Sequence, residues 1–278
     1  MAEAPRDFKE SVVNTFDNIS ERYDDLVGGW MRYSTNRVLD EIELPDDPTC
    51  LDVASGTGLS TFELVGRCGG RGTFHGIDIA EATVEIANGA ARERELGNVV
   101  FAKMDAEDLR FPDGTFDLVL SNMSLQFFPD KPRALREIHR VLKPGGQFAF
   151  TFPGGPAMQE QLGVMLEVAS RHPKIPQLQE IVRSSEECFL GLEEWMDLLD
   201  EAGLRLTNIF GRHNVSFRDP GFITTDENVS WENWRQAIPG DSVEGIAEEV
   251  NEAAREASTE RGFRNTSYVI FAWGTKPG

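Results

Sequence analysis

The run Leu51-Asp52-Val53-Ala54-Ser55-Gly56-Thr57-Gly58 is the part of this chain best suited to hold a ligand. A short apolar segment leads into it, and a helical pattern (Leu59, Phe62, Leu64, Val65) follows. It reads as strand, glycine turn and helix. Glycine has no Cβ and tolerates unusual dihedrals, so such a turn lets a ligand come close to the backbone. In doubly wound α/β proteins the ligand sits there, at the carboxyl end of the first strand. A dinucleotide turn requires G-x-G-x-x-G/A, but after Gly56 and Gly58 the third position is Thr61, and the G-K-[ST] of a phosphate loop is missing. Further polar strand ends follow. In Gly76-Ile77-Asp78-Ile79 an acid stands 20 residues beyond Gly58, where it can accept two hydrogen bonds from a ribose diol. In Lys103-Met104-Asp105-Ala106 a second acid could accept a hydrogen bond from the amino group of an adenine, and Phe116–Asn122 ends on Ser121-Asn122. Polar strand ends in succession, without a pyrophosphate motif, suit a nucleoside that carries no phosphates.

Placing these residues requires alternating strands and helices. Strands are expected near 49–54, 72–78, 98–103, 116–122 and 146–152, and helices near 58–68, 82–95 and 131–142. This alternation predicts parallel strands joined by right-handed crossovers. Pro144-Gly145-Gly146 reads as a stop after the last of these helices. Upstream, Val12, Val13, Phe16, Ile19, Tyr23 and Leu26 lie at helical spacing on one face of 8–26, and a second helix is expected over about 32–42. Downstream, the pattern predicts helices near 157–171 and 193–202, with 174–192 irregular or helical. A sixth strand is expected over 204–210, and no strand is evident after about Phe217 until the apolar run Tyr268–Trp273, which suits a central strand.

In order along the chain, Asp52-Val-Ala54-Ser-Gly56-Thr-Gly58, Gly76-Ile-Asp78-Ile79, Met104-Asp105-Ala106-Glu107, Phe116 to Asn122, and Glu137 to Gly146 resemble the class I S-adenosylmethionine-dependent methyltransferases. The resemblance is to the methyltransferase type 11 branch that includes the quinone-biosynthesis C-methyltransferases, and it covers about residues 50–152. It implies a Rossmann-like α/β fold: a doubly wound seven-stranded sheet whose last strand is antiparallel and lies between the fifth and sixth, with N-terminal helices and a helical lid. The implied organisation is an N-terminal helical cap (1–45), a cofactor-binding half (46–153), and a substrate-side half (154–278) whose insertion at about 212–265 folds over the site.

The resemblance also implies S-adenosyl-L-methionine as cofactor and assigns its contacts. Asp52, Ala54, Gly56 and Gly58 would line the methionine tail. Asp78 would take the ribose hydroxyls, and Ile79 would pack on the adenine. Asp105 and Ala106 would hold the adenine edge. Ser121 and Asn122 would border the sulfonium, with Gln126 close by. One departure is Ala54, where many members carry glycine. Tyr23 and Trp30, on the leader, would face the site, and Tyr23 could donate to the cofactor carboxylate or touch the acceptor. Methyl transfer from a sulfonium needs proximity, alignment and exclusion of water, and a base only if the acceptor must lose a proton. The candidates for that role are His213 and Tyr23; His75 and His139 read as structural. Phe127, Phe128, Trp231 and Trp234 could form an apolar acceptor pocket, although the tryptophans equally suit a core. A cyclase or isomerase that binds the cofactor without transferring methyl is the alternative, since it needs the same cofactor site.

The balance of 47 acids against 27 bases leaves a net charge of −20 over 278 residues. That argues against nucleic acid, whose phosphates need neutralising bases, and against stable association with an anionic membrane. Ser121-Asn122-Met123-Ser124 also lacks the Asn/Asp-Pro-Pro-aromatic loop often found where base amino groups are methylated. A small-molecule acceptor is expected, through carbon, nitrogen, oxygen or sulfur. Cys50, Cys68 and Cys188 have no metal-ligand spacing, so no metal is expected. With no signal-peptide pattern at the start and no long apolar run, a reduced, cytoplasmic protein is the expectation.

Overall fold

The computed structural model describes residues 6–155, 157–226 and 228–278. The first five residues of the expected N-terminal cap, 1–5, lie outside the described residues. Seven strands form one sheet: β1 Thr49–Val53, β2 Thr73–Asp78, β3 Val99–Lys103, β4 Phe116–Asn122, β5 Leu142–Pro153, β6 Arg205–Arg218 and β7 Phe263–Thr275. The order is β3-β2-β1-β4-β5-β7-β6, with β1 to β5 parallel and β7 antiparallel to both its neighbours. The central strands are covered on both faces, which is why they read as continuous apolar runs: Leu51, Val53, Leu118, Val119 and Leu120 are fully buried. The direction of winding reverses between β1 and β4, and the crevice at such a reversal, beyond the carboxyl ends of the strands, is where this architecture leaves room for a ligand.

Two compact units make up the chain. The first takes the residues up to Phe152 together with Gly191–Gly211 and Ile270–Gly278. Its helices are α1 Arg6–Ile19, α2 Tyr23–Leu39, α3 Leu59–Arg67, α4 Glu81–Glu93, α5 Lys131–Val141 and, later in the chain, α8 Leu192–Glu201. The second takes Pro153–Leu190 and Arg212–Val269. There α6 Gln159–Arg171, α7 Pro176–Glu187, α9 Val229–Arg235 and α10 Val243–Glu256 close on a core of Met165, Val168, Trp231, Trp234, Ile246 and Val250.

The structure departs from the sequence reading at three points, each for a local reason. The leader forms two helices as expected, but the break between them falls earlier: a 3-10 turn at Ser20–Arg22 ends α1, and α2 begins at Tyr23. The Ser20 hydroxyl donates to the Asp17 carbonyl at 2.9 Å, a local bond that competes with the helix ladder. The helix before Pro144-Gly145-Gly146 ends at Val141, near the expected position, but the triplet lies inside a strand: β5 starts at Leu142 and runs through it, with Gly145 at φ 78° and a register shift opposite Phe116–Leu118. The triplet is a bulge. Finally, β6 extends to Arg218 and β7 starts at Phe263, so both are longer than the apolar pattern indicates. β6 is an edge strand with mostly exposed side chains, and an edge strand need not alternate in polarity.

Gly58 shows how tightly the first turn is packed. It has φ 87°, and a Cβ placed on it would lie 2.7 Å from the Phe101 ring and 2.9 Å from Phe62. Gly58→Ala is expected to lower unfolding free energy by roughly 2–4 kcal/mol, from left-handed strain plus overpacking. Urea denaturation measures it, and a loss under about 1 kcal/mol would show that the two rings yield freely.

Candidate functional site

The parallel register brings the ends of β1 to β4 to one edge of the sheet, with Asp52 opposite Gly76 and Asp78 opposite Lys103. The loops that leave those ends, with α1 and the start of α2, enclose a cavity in the first unit. At its centre is Asp78. One carboxylate oxygen accepts the Gly56 N–H at 2.8 Å and the other accepts the Ala80 N–H at 2.9 Å. Loss of hydration pushes the Asp78 carboxyl above the usual carboxylate range, against the opposing pull of these backbone donors. The Ile79 N–H adds to that pull, and a carboxylate with about four acceptor positions still has room for a ligand hydroxyl.

The turn above Asp78 is built from two left-handed residues, Ala54 at φ 58° and Gly56 at φ 54°. A Cβ on Gly56 would meet nothing within 4 Å, so the space beside it is open to a ligand. Ala54 holds a conformation that disfavours any residue with a Cβ by about 1–2 kcal/mol, a cost that glycine would avoid.

At the far end Asp105 accepts the Glu107 N–H at 2.9 Å and a hydrogen bond from Lys9 Nζ at 2.7 Å. Lys9 Nζ also reaches Glu107 at 2.6 Å. Burial works against the Lys9 ammonium, but its bonds and charge contacts with Asp105 and Glu107 prevail and hold its pKa above the ordinary lysine value. An apolar side completes the cavity. Phe16 meets Tyr23 and Phe127 edge-on, at centroid distances of 5.9 and 5.5 Å, and Phe128 and Met123 stand beside them. Loss of hydration, and then the charges of Asp78 and Asp24, push the Tyr23 phenol far above its usual pKa, so it remains a neutral donor.

The expected site residues divide into three groups. Tyr23, Ala54, Gly56, Asp78, Ile79, Asp105, Ala106 and Asn122 share the cavity wall. Asn122 is nonetheless committed to the protein: its carbonyl accepts from Ser34 at 2.8 Å and from Thr151, and its amide donates to the Met31 carbonyl and to Ser60. Asp52, Gly58, Ser121 and Gln126 are not wall residues. Ser121 donates to the Val53 carbonyl at 2.9 Å, and Gln126 donates to the Met123 carbonyl at 2.8 Å. Asp52 is 1% exposed and accepts from Thr61 at 2.7 Å, while its second oxygen finds no hydrogen-bond partner among the described residues. The third group lies elsewhere. Trp30 stacks on Tyr33 instead of facing the cavity. Trp231 and Trp234 are core residues of the second unit, and His213 is an exposed residue of that unit, 4.4 Å from the Tyr268 ring. His75 packs against Phe111 and Phe116, as a structural histidine would.

The sequence reading missed Lys9, Thr83 and the part played by Glu107 and Phe16 in the wall. A signal for Lys9 was present: it precedes Val12 by three residues and Phe16 by seven, on the same helical face. Among the described residues no group of three His, Cys, Asp or Glu could hold a metal, and no helix is long and apolar enough to cross a membrane.

Residues 51–150 match the methyltransferase domain family. The chain is 37% identical over 146 residues to the aklanonic acid methyltransferase DauC of a Streptomyces species, covering 52% of this chain and 66% of that one. It is 34% identical over 148 residues to the ubiquinone/menaquinone biosynthesis C-methyltransferase UbiE of Idiomarina loihiensis, covering 50% and 57%. It thus spans less than two thirds of the length of either relative. Among solved structures, the YcgJ protein of Bacillus subtilis superposes with a TM-score of 0.60 at 22% identity, over 88% of this chain and 99% of that one, which is a likeness of fold.

The half-satisfied Asp52 carboxyl has a consequence for stability. Burial raises its pKa to about 7, and the charge of Asp78 adds to the effect against the opposing Thr61 hydrogen bond. The folded state therefore binds this proton more tightly than the unfolded chain. The resulting stability is fully present below the unfolded pKa of about 3.9 and is lost as pH rises through about 7. Asp52→Asn keeps the bond from Thr61 and removes the titration. The fall in melting temperature between about pH 5 and about pH 8 is expected to shrink in this variant, by the equivalent of a few kcal/mol at most. Parallel melting curves for variant and wild type would show the proton to be unimportant.

Proposed function

We propose that this chain is a class I S-adenosylmethionine-dependent methyltransferase that transfers a methyl group from S-adenosyl-L-methionine to a small-molecule acceptor, a reading supported by the match of residues 51–150 to the methyltransferase domain family. The observation that carries the reading is Asp78: a carboxylate on the cavity wall, oriented by the Gly56 and Ala80 N–H groups beside an open glycine turn. In this reading Asp78 takes the ribose hydroxyls and Ile79 packs on the adenine. Asp105 and Ala106 hold the adenine edge, and Ala54 and Gly56 border the methionine portion. The donor supplies a methyl already activated by the positive charge of its sulfonium.

The protein's own work is then to bind, align and keep water out. Phe16, Phe127 and Phe128 supply the apolar wall for that exclusion. Tyr23, neutral at any working pH, offers a hydrogen bond to a carboxylate. The small-molecule acceptor is supported by the chain's strong acidity and by the names of its relatives, which refer to aklanonic acid and to quinones.

S-adenosylhomocysteine is expected to raise the melting temperature, since it would bind only the folded state. Asp78→Ala is expected to weaken that binding by roughly 1–3 kcal/mol, through the hydroxyls left unpaired. Calorimetric titration measures it, and an unchanged affinity would remove Asp78 from the site. With methyl-labelled donor, label should appear in the product; an acceptor that rearranges while the donor stays intact would favour the cyclase or isomerase reading.

A further inference from the structure

The N-terminal helix reaches the cavity through one cation. Lys9 Nζ stands 2.7 Å from Asp105 Oδ2 and 2.6 Å from Glu107 Oε2, across some hundred residues of sequence. The other oxygens of both acids are held by the backbone: Asp105 Oδ1 by the Glu107 N–H and Glu107 Oε1 by the Asp130 N–H, each at 2.9 Å. Both carboxylates are thus fixed at both ends, and at one end the fixing group is Lys9. We propose that Lys9 is a positioning residue for nucleobase recognition: it orients Asp105 as the acceptor of the adenine amino group, so that reading the base and seating α1 are one event. The proposal rests on the S-adenosyl reading of the cavity.

Electrostatics gives the reason. Glu107 has a side chain only 9% exposed, and it lies beside a second acid two residues away. Without a cation between them the two carboxylates repel, and one turns away. A displaced Asp105 no longer discriminates between a 6-amino group, which donates to it, and a 6-oxo group, which does not. Lys9 can serve only while α1 is seated, and the residues three and seven positions further on, Val12 and Phe16, line the same cavity. The ion pairs are partly exposed, with Lys9 at 30% and Asp105 at 36%, so dissolved salt weakens them.

The test uses the full chain, the variants Lys9→Met and Lys9→Arg, and two probes: S-adenosylhomocysteine and its 6-oxo analogue S-inosylhomocysteine. Wild type is expected to prefer the adenosyl compound by about tenfold or more. Lys9→Met should lose about tenfold in affinity for it and change less than about twofold for the inosyl compound, so that the preference collapses, and Lys9→Arg should restore it. Raising KCl from about 0.05 to about 0.5 M should erode the preference in wild type but not in Lys9→Met, a readout that does not depend on how well the variant folds. Hydrogen exchange over residues 10–19 should be faster in free Lys9→Met than in free wild type. A preference kept in Lys9→Met, or an equal loss for both compounds, would overturn base positioning. Unchanged exchange in α1 would overturn the coupling to helix seating. Binding of neither compound by wild type would overturn the S-adenosyl reading and base recognition with it, whereas the exchange comparison would still report on the ion pair.

Discussion

The Gly56 N–H donating to Asp78 is the contact on which the rest of the site depends. It ties the turn after β1 to the end of β2, beside a backbone bond from the Ser55 N–H to the Ile77 carbonyl at 2.8 Å. The half-buried Gly56 N–H meets this acceptor where the turn folds back through left-handed backbone at Ala54 and Gly56. The same charge spreads further: Asp78 contributes to the raised pKa of Tyr23 and of Asp52. One carboxylate thus sets the shape of the turn and helps keep two of its neighbours protonated.

Much of this was legible in the sequence, for a definite physical reason. The central strands β1 and β4, buried on both faces, are runs of apolar residues, and acids mark where the neighbouring strands stop: Asp78 ends β2, and Asp105 follows β3 by two residues. What escaped depends on contacts distant in sequence or on competition within a turn. Nothing near Lys9 says that its partners lie some hundred residues away. Nothing in Gly58-Leu59 says that Phe101 closes over the glycine, so a residue expected to meet a ligand is instead needed for packing. Pro144-Gly145-Gly146 is compatible with either a stop or a bulge, and pairing of β5 with β4 decides between them.

Asn122 shows why a residue can border the cavity and still belong to the scaffold. Its side chain joins Ser34 and Met31 of α2, Ser60 of α3 and Thr151 of β5. A buried amide with every group satisfied makes a directional joint that apolar packing would not supply. It fixes α2, and Tyr23 at its first turn, against the sheet that carries Asp78.

The order of the strands also bears on how the chain folds as it is made. β7 is the last strand in sequence yet lies inside the sheet, between β5 and β6. Until residues 263–275 have been synthesised, β6 has no neighbour in the sheet and the outer edge of β5 stays uncovered. The cavity, by contrast, is lined wholly by residues before 130. The first five strands can assemble early around the nucleoside end, while closure of the sheet waits for a pairing more than a hundred residues long, a slow step that leaves an apolar edge open to chaperones and to misassociation in the meantime.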